Sequence, residues 1–387
     1  MVERSLKEII SKAKENEEVV IVGIGGAGKE LYQYLKLLQI KVIEFFDNDD
    51  KFEGRTYDGI NISKPYKREG ELCVYVVTVT DISVRKRLKE QLQSLGIPEY
   101  KILIYYMRRD YDFWSNLEPQ YYTEEHKQQA KDVFGYDLDV KNPKTYNEKV
   151  FVDKFYDITE QKVRLADKYL VRDWVKEKIG EKYLVKQYAV WNDAAEIDFD
   201  MLPSSFVLKA NHGSGYNIVV KDKSKIDKEA VRKQLNKWLK EKYGFNYFEL
   251  HYNRIEPKIV CEEYLEGLAD NVYDYNIYCF HGEPKYIHCI KGCKKADARG
   301  SYYDEQWNKQ PFSHGYPIDE EIAPKPKQLD EMLKLSRILC KDFKHVRVDW
   351  YNMPDGRVLF GEVTITPWGG LVKFIPEEYD QILGRLI

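Results

Sequence analysis

Apolar positions along the first hundred residues alternate between two periods. Leu6, Ile9, Ile10 and Ala13 recur at helical spacing, which predicts a short first helix, and Ser5 with Glu8 three residues on reads as its capping box. Val19 to Val22 is an apolar run of strand length that leads through Gly23, Gly25, Gly26 and Gly28 into a helix with Leu31, Leu35 and Leu38 on one face. Strand KVIEFF, strand LCVYVVTV (72–79), helix SVRKRLKEQLQSL (83–95) stopped by Gly96, and strand KILIYY (101–106) continue the pattern. Strands alternating with helices predict an α/β domain over residues 1–108, a Rossmann-like, doubly wound parallel sheet.

The rhythm then stops. Residues 109–140 are polar and Tyr-rich, and Pro119, Gly135 and Pro143 punctuate the stretch, which predicts a helical or irregular linker whose tyrosines cover an inter-domain seam. From 141 to 387 the pattern becomes α+β. LADKYLVRDWVKEKIG predicts one helix with Lys168 near its start, Val171, Trp174 and Val175 on one face and Gly180 at its end. Strand Phe206 to Leu208 runs into Lys209, a loop with Gly213, Ser214 and Gly215, and strand NIVV; this glycine-loop lobe spans about residues 186–262. The helix KEAVRKQLNKWLKEKYG sets Val231, Leu235, Trp238 and Leu239 against a lysine-rich face, and HVRVDWYNMPDGRVLFGEVTIT reads as two strands around a Pro-Asp-Gly turn.

Composition bounds what such a chain can do. Lys+Arg 61 against Asp+Glu 64 leaves a net charge of -3, so no global positive field exists to hold nucleic acid. An aromatic content of 14% and a hydrophobic content of 43% exclude disorder over 387 residues. No window is apolar enough to span a membrane, and the charged N-terminus carries no export signal; six dispersed cysteines then fit reduced thiols in the cytoplasm. His288-Cys289, with Cys293 and His281, lacks the second half-site of a metal centre. The oligomeric state stays open, a homo-oligomer included.

The turn Gly23-x-Gly25-x-x-Gly28 stands between a strand and a helix, where glycines let backbone amides and the helix dipole meet a pyrophosphate, and Asp47 ends the next strand where an acid meets a ribose hydroxyl. Nothing downstream suggests a nicotinamide enzyme. The segment GIGGAGKELYQYL…FFDNDDKFEG resembles the N-terminal domain of bacterial sugar N-acyltransferases, which implies UDP or a UDP-sugar as ligand; an architectural domain with a vestigial turn is the alternative.

Four later pieces carry phosphate chemistry. Lys209 before the loop Gly213-Ser214-Gly215 can fold amides and a cation over a triphosphate, with His212 either touching phosphate or packing at the loop base. Lys168 lies in an earlier piece, and Glu262, Glu263 and Leu265 at a strand exit can read adenine and ribose. In the hairpin, Arg347 and Asp349 share one strand face and Glu362 and Thr364 another. Asp349 and Glu362 can therefore converge as hard ligands for Mg²⁺.

In this order the pieces resemble the ATP-grasp superfamily. That resemblance implies phosphate contacts from Lys168 and Lys209, adenine and ribose contacts from Glu262, Glu263 and Leu265, transition-state charge stabilisation from Arg347, and two Mg²⁺ ions at Asp349, Glu362 and Thr364, the last standing where many members have Asn. NPKTYNEKV, DKYLVRDWV, FVLKANHGSG, DYNIYCFHGEPKYI, YYDEQW and VRVDWY…FGEVTITP together resemble the TupA-like ATP-grasp family of teichuronopeptide and other surface polysaccharides. Asp274, Lys291 and Arg299 fall in its acceptor region, where Asn276 replaces a usual Lys and an expected Arg has no clear counterpart among Lys291, Lys294, Lys295 and Arg299. The resemblance implies a ligase that joins a uronic acid, free, nucleotide-linked or within a glycan, to an amine through an acylphosphate. A small-molecule kinase, and a nucleotide-sugar-binding transferase or accessory protein with a degenerate grasp domain, are the competing readings.

Overall fold

The computed structural model describes residues 6–16, 18–68, 73–79, 81–105, 119–266, 273–292 and 297–387. Ser5, Leu72, Tyr106, the linker residues before Pro119, Cys293, Lys294 and Lys295 lie outside them. The chain divides into two compact units, Met1–Lys127 and Gln128–Ile387.

The N-terminal unit runs α1 (Leu6–Asn16), β1 (Glu18–Val22), α2 (Gly26–Leu37), β2 (Lys41–Phe46), β3 (Thr56–Tyr57), β4 (Ile60–Ser63), β5 (Cys73–Val77), α3 (Ile82–Ser94) and β6 (Ile102–Ile104). Its sheet has the order β3-β4-β2-β1-β5-β6 and is parallel except for β3 against β4. Apolar runs become its central strands because both faces are covered: Val20, Val22, Phe46, Val77, Leu88 and Leu92 close into one core. The β3–β4 hairpin, absent from the sequence reading, turns on Asp58 and Gly59 at φ 52° and 79°, the left-handed pair that a two-residue hairpin requires.

The glycine turn has a packing cause. A Cβ on Gly28 would stand 1.9 Å from the Gly23 carbonyl oxygen, so α2 can approach β1 only with glycine there. Asp47, expected at a ribose, instead binds the turn: Oδ2 accepts the Ile24 N–H (3.0 Å) and Oδ1 the Asp49 N–H (2.9 Å).

Helix α4 (Pro119–Phe134) spans the division between the units. After it come α5 (Tyr146–Tyr156), α6 (Glu160–Ala166), α7 (Val171–Ile179), β7 (Gln187–Trp191), β8 (Phe206–Ala210), β9 (Asn217–Val220), α8 (Lys228–Leu239) and β10 (Ile259–Glu263). The chain ends with β11 (Tyr273–Phe280), β12 (Glu283–Lys291), β13 (Arg299–Tyr303), β14 (Ser313–His314), α9 (Leu329–Cys340), β15 (His345–Asn352), β16 (Val358–Thr364), β17 (Phe374–Ile375) and α10 (Glu378–Gly384). Two antiparallel sheets dominate, β7-β10-β8-β9 and β13-β12-β11-β15-β16.

Each sheet buries one face. Phe206, Leu208 and Cys261 pack with Val231 and Leu235 of α8 under the first. Tyr275, Ile277, Val346, Val348 and Val363 pack with Trp174 of α7 and with α9 under the second. Alternation along each strand then turns Asn276, Arg347, Asp349 and Glu362 to the opposite face. The single helix expected over residues 165–180 is two. Asp167 breaks it, because its Oδ1 accepts the Tyr169 and Leu170 N–H groups (2.8 and 3.2 Å) and leaves Lys168 in the turn before α7.

Candidate functional site

A cavity of about 420 Å³ lies in the C-terminal unit, lined among others by Lys168, Arg172, Lys209, Glu262, Arg347, Asp349 and Glu362. On the glycine-loop side, β8 delivers Lys209 and β10 delivers Glu262 to one face, and Lys209 Nζ donates to Glu262 Oε2 at 2.5 Å. Arg172 of α7 holds the other oxygen at 2.9 Å and gives its second nitrogen to the Val185 carbonyl (2.6 Å). Glu262, expected at adenine and ribose, is thus an acceptor for two cations. Burial opposes the Lys209 charge, but Glu262, Tyr351 and Glu362 outweigh it and hold the ammonium well above the usual lysine range.

Lys168 donates to the Gly213 carbonyl, and its N–H to that of Asn211 (3.2 Å). Asn211 Nδ2 in turn donates to Asp167 Oδ1 at 2.9 Å, so the Asp167-Lys168 turn and the glycine loop brace each other. Burial lowers the Lys168 pKa against the pull of Glu362. Gly213 passes so close to Tyr243 that a Cβ would meet its ring at 2.7 Å. His212 takes the packing role: Nε2 meets Trp238 O (3.0 Å), Nδ1 faces Asn211 Oδ1 (3.4 Å), and burial lowers its pKa, which keeps it neutral. Of the two roles the sequence leaves open for it, packing at the loop base is the one these contacts describe.

On the opposite side, Arg347 binds Asp349 with two bonds, Nε to Oδ1 at 2.7 Å and Nη2 to Oδ2 at 2.6 Å, and reaches Glu362 Oε1 at 3.2 Å. Asp349 and Glu362 are directly paired across β15 and β16, and Thr364 Oγ1 donates to Glu362 Oε1 at 3.0 Å. Burial pushes the Asp349 carboxyl up to about 7 against Arg347, with Glu362 and Asp274 adding to the rise. Glu362 goes the other way: Arg347, Lys168, Thr364 and Lys209 overcome its burial and lower its pKa.

Of the acceptor candidates, Asp274 lines the cavity and Lys291 and Arg299 do not. Those two pair with each other at the ends of β12 and β13, where Lys291 Nζ is taken by Glu321 (2.6 Å) and Arg299 is exposed. Ser214 and Gly215 line the cavity; Glu263 and Leu265 do not, and Leu265 packs with Val185, Met353 and Leu359. The sequence reading missed Arg172, Tyr316, Tyr351 and Trp368, all lining residues, whereas Asn276, noted in the acceptor region, also lines the cavity. Arg172 alone left a signal, as a charge on a helix assigned only an apolar face. His288 and Cys289 point to opposite sheet faces, and among the described residues no three His, Cys, Asp or Glu side chains group as a self-sufficient metal site.

Two lobes with facing lysines and carboxylates around a glycine loop define the ATP-grasp class. The chain belongs to the TupA-like ATP-grasp family, whose model matches residues 148–387, and a C2185-like N-terminal model matches residues 15–103. No protein of curated function matches it. Distant likenesses among solved structures include a D-alanine–D-alanine ligase from Bacillus anthracis complexed with ATP (14% identity, 90% of this chain and 85% of that one, TM-score 0.34). An L-amino acid ligase from Bacillus licheniformis (11%, 92% and 69%, 0.34) is another. A third is an N5-carboxyaminoimidazole synthase from Aspergillus clavatus in complex with ADP (11%, 90% and 69%, 0.30).

Proposed function

We propose that the chain is an ATP-dependent carboxylate–amine ligase. The observation that carries this reading is one cavity in which Lys168, Lys209, Arg172 and Arg347 face Asp349 and Glu362 beside a glycine loop, in a chain of the TupA-like family. Lys209 and Lys168 hold the triphosphate under the loop, and Arg347 neutralises charge on the transferred phosphoryl group. An oxygen of the substrate carboxylate attacks the γ-phosphorus and ADP leaves. The amine nitrogen then attacks the carbonyl carbon of the acylphosphate, inorganic phosphate leaves, the nitrogen loses a proton, and an amide remains.

The donor set fits magnesium. Asp349 and Glu362 are hard oxygen ligands at paired positions, and two protein carboxylates suit an ion that completes its shell with phosphate and water. Bound there, Mg²⁺ would neutralise phosphate charge, and the Thr364 hydroxyl orients Glu362 through its hydrogen bond.

Following the family resemblance, the acid is a uronic acid and the setting is surface-polysaccharide synthesis in the cytoplasm. The turn of the N-terminal unit is a place for UDP or a UDP-sugar, since among the described residues, adjoining backbone aside, no atom lies within 4 Å of a Cβ placed on Gly25 or Gly26. ADP release by the full chain with MgATP tests the ligase reading: it must depend on both a carboxylate and an amine. Dependence on a single acceptor points to a kinase, and no turnover together with no ATP binding overturns both.

A further inference from the structure

The loop that leaves β16 carries a side chain into the cavity. Thr366, Pro367, Trp368, Gly369 and Gly370 begin just after Thr364, and Trp368 lines the cavity beside Tyr316, the two rings 5.4 Å apart. Asn276, a further lining residue, pairs with Asp349, so this end of the cavity lies on the β11–β15 side. Trp368, Gly369 and Gly370 stand at φ 56°, 62° and 69°, successive left-handed residues of which the first is not glycine. Such a course persists only where neighbouring groups over-determine it.

Those groups come from outside the sheet. Lys154 of α5, 0% exposed, donates Nζ to the Gly369 carbonyl at 3.0 Å. Asn147 of the same helix donates Nδ2 to the Val372 carbonyl at 3.1 Å, and a Cβ on Gly370 would meet Val150 Cγ1 at 3.1 Å. Glu249, from the chain between α8 and β10, accepts the Thr366 hydroxyl at 2.6 Å. The loop is thus gripped at its start, its middle and its exit. Across it, Gly315 makes room for the Trp368 ring, which a Cβ there would meet at 2.2 Å.

Lys154 is a costly way to fill a core. Burial lowers its pKa against the pull of Glu249, and burial raises that of Glu249 against the pull of Lys154. Opposite charges taken out of water stabilise a fold no better than packed hydrocarbon of similar volume, so stability alone gives this pair little reason to be there. The Glu362 and Arg347 charges also act on Glu249, which places it beside the carboxylate cluster. In the ligase reading the nucleotide is held by Lys168, Lys209 and the glycine loop, so a wall on the β11–β15 side bears on the molecule that accepts the phosphoryl group.

We infer that Lys154 and Glu249 are positioning residues for phosphoryl transfer: through the Gly369 carbonyl and the Thr366 hydroxyl they fix the left-handed course of residues 366–370 and so set Trp368 as a wall against the phosphoryl acceptor. The inference rests on the ligase reading. Neither residue lines the cavity, and each acts through the loop. A wall displaced by about 1 Å spoils in-line alignment and costs roughly 10²-fold in rate.

Fluorine magnetic resonance on the full chain labelled with 5-fluorotryptophan tests this, Trp368→Phe identifying the Trp368 signal among those of the 7 tryptophans. Lys154→Met keeps the stem and removes the ammonium. It should move the Trp368 signal and slow ADP release from MgATP, D-glucuronate and L-alanine by about tenfold or more, with the KM for ATP and the affinity for MgADP within about threefold of the parent. Glu249→Met should do the same, and it serves if Lys154→Met does not fold. Glu249→Gln retains an oxygen that accepts the Thr366 hydroxyl and should keep the signal in place. A Trp368 signal unmoved in every methionine variant that folds overturns the assignment. So does a moved signal with parental turnover, which would leave the pair a purely structural role. A parent chain that neither binds MgADP nor releases ADP removes the ligase reading, whereas the Trp368 signal still decides the grip on the loop.

Discussion

Lys209 and Glu362 stand on opposite walls of one cavity, and neither is in an apolar core. Lys209→Ala and Glu362→Ala should each lower ADP release by about 10²-fold or more, in line with the loss of one preorganised electrostatic group. Melting curves near the parent's would show that the fold is kept; retained turnover in both variants would exclude this site. Asp349 makes a pH prediction. Unfolded, it titrates near 3.9, and folded, near 7. Below the lower value both states are protonated, and between the two the folded chain holds a proton that the unfolded chain has lost. Its contribution to stability therefore declines as pH rises through that window. Metal-free protein melted at a series of pH values should show this slope, and Asp349→Asn should flatten it; an unchanged slope in the variant would place the titration elsewhere. The Arg347, Asp349 and Glu362 cluster was legible because strand alternation and a Pro-Asp-Gly turn fix which side chains share a face. The engagement of Glu262 by Lys209 and Arg172 was not, because no local pattern links α7 to β10.

At the scale of elements, one residue ties a helix start to the glycine loop. Asp167 is 2% exposed, closes the turn before α7 by accepting the Tyr169 and Leu170 N–H groups and accepts from Asn211, which also binds Lys258 N–H and Glu256 O. The periodic reading extended one helix through this point, since Leu165, Val171 and Val175 keep an apolar face and the Asn211 bond that fixes Asp167 comes from a distant part of the chain. Asp167→Ala should cost about 1–2 kcal/mol of stability through the lost turn hydrogen bonds, with more weakening of ATP binding than of the acid. Melting temperature and separate titrations with ATP and with acid would check this. Unchanged ATP affinity in a destabilised variant would show that the brace serves the fold alone. The β3–β4 hairpin was legible in principle from Asp58-Gly59, but strands of two and four residues give periodicity too little length to register.

At the scale of the whole chain, alternation of strands and helices anticipated the parallel sheet of the N-terminal unit, while its ligand was not legible, because the same glycines serve packing. Gly28 is required by its contact with the Gly23 carbonyl, and Asp47 by the Ile24 N–H. Substituting either therefore confounds fold with binding. Gly25 separates them: its φ of -67° and ψ of -174° suit any residue, and among the described residues, adjoining backbone aside, nothing lies within 4 Å of an added Cβ. Gly25→Val fills the opening before α2 without strain. If the turn holds UDP, calorimetry on the full chain should show UDP binding, and this variant should lose about tenfold or more in affinity, roughly 1.4 kcal/mol, at an unchanged melting temperature. Binding that survives the substitution would move the nucleotide away from the turn. No UDP binding by the parent chain would leave the glycines with the packing role that Gly28 already demonstrates, and the unit with an architectural one.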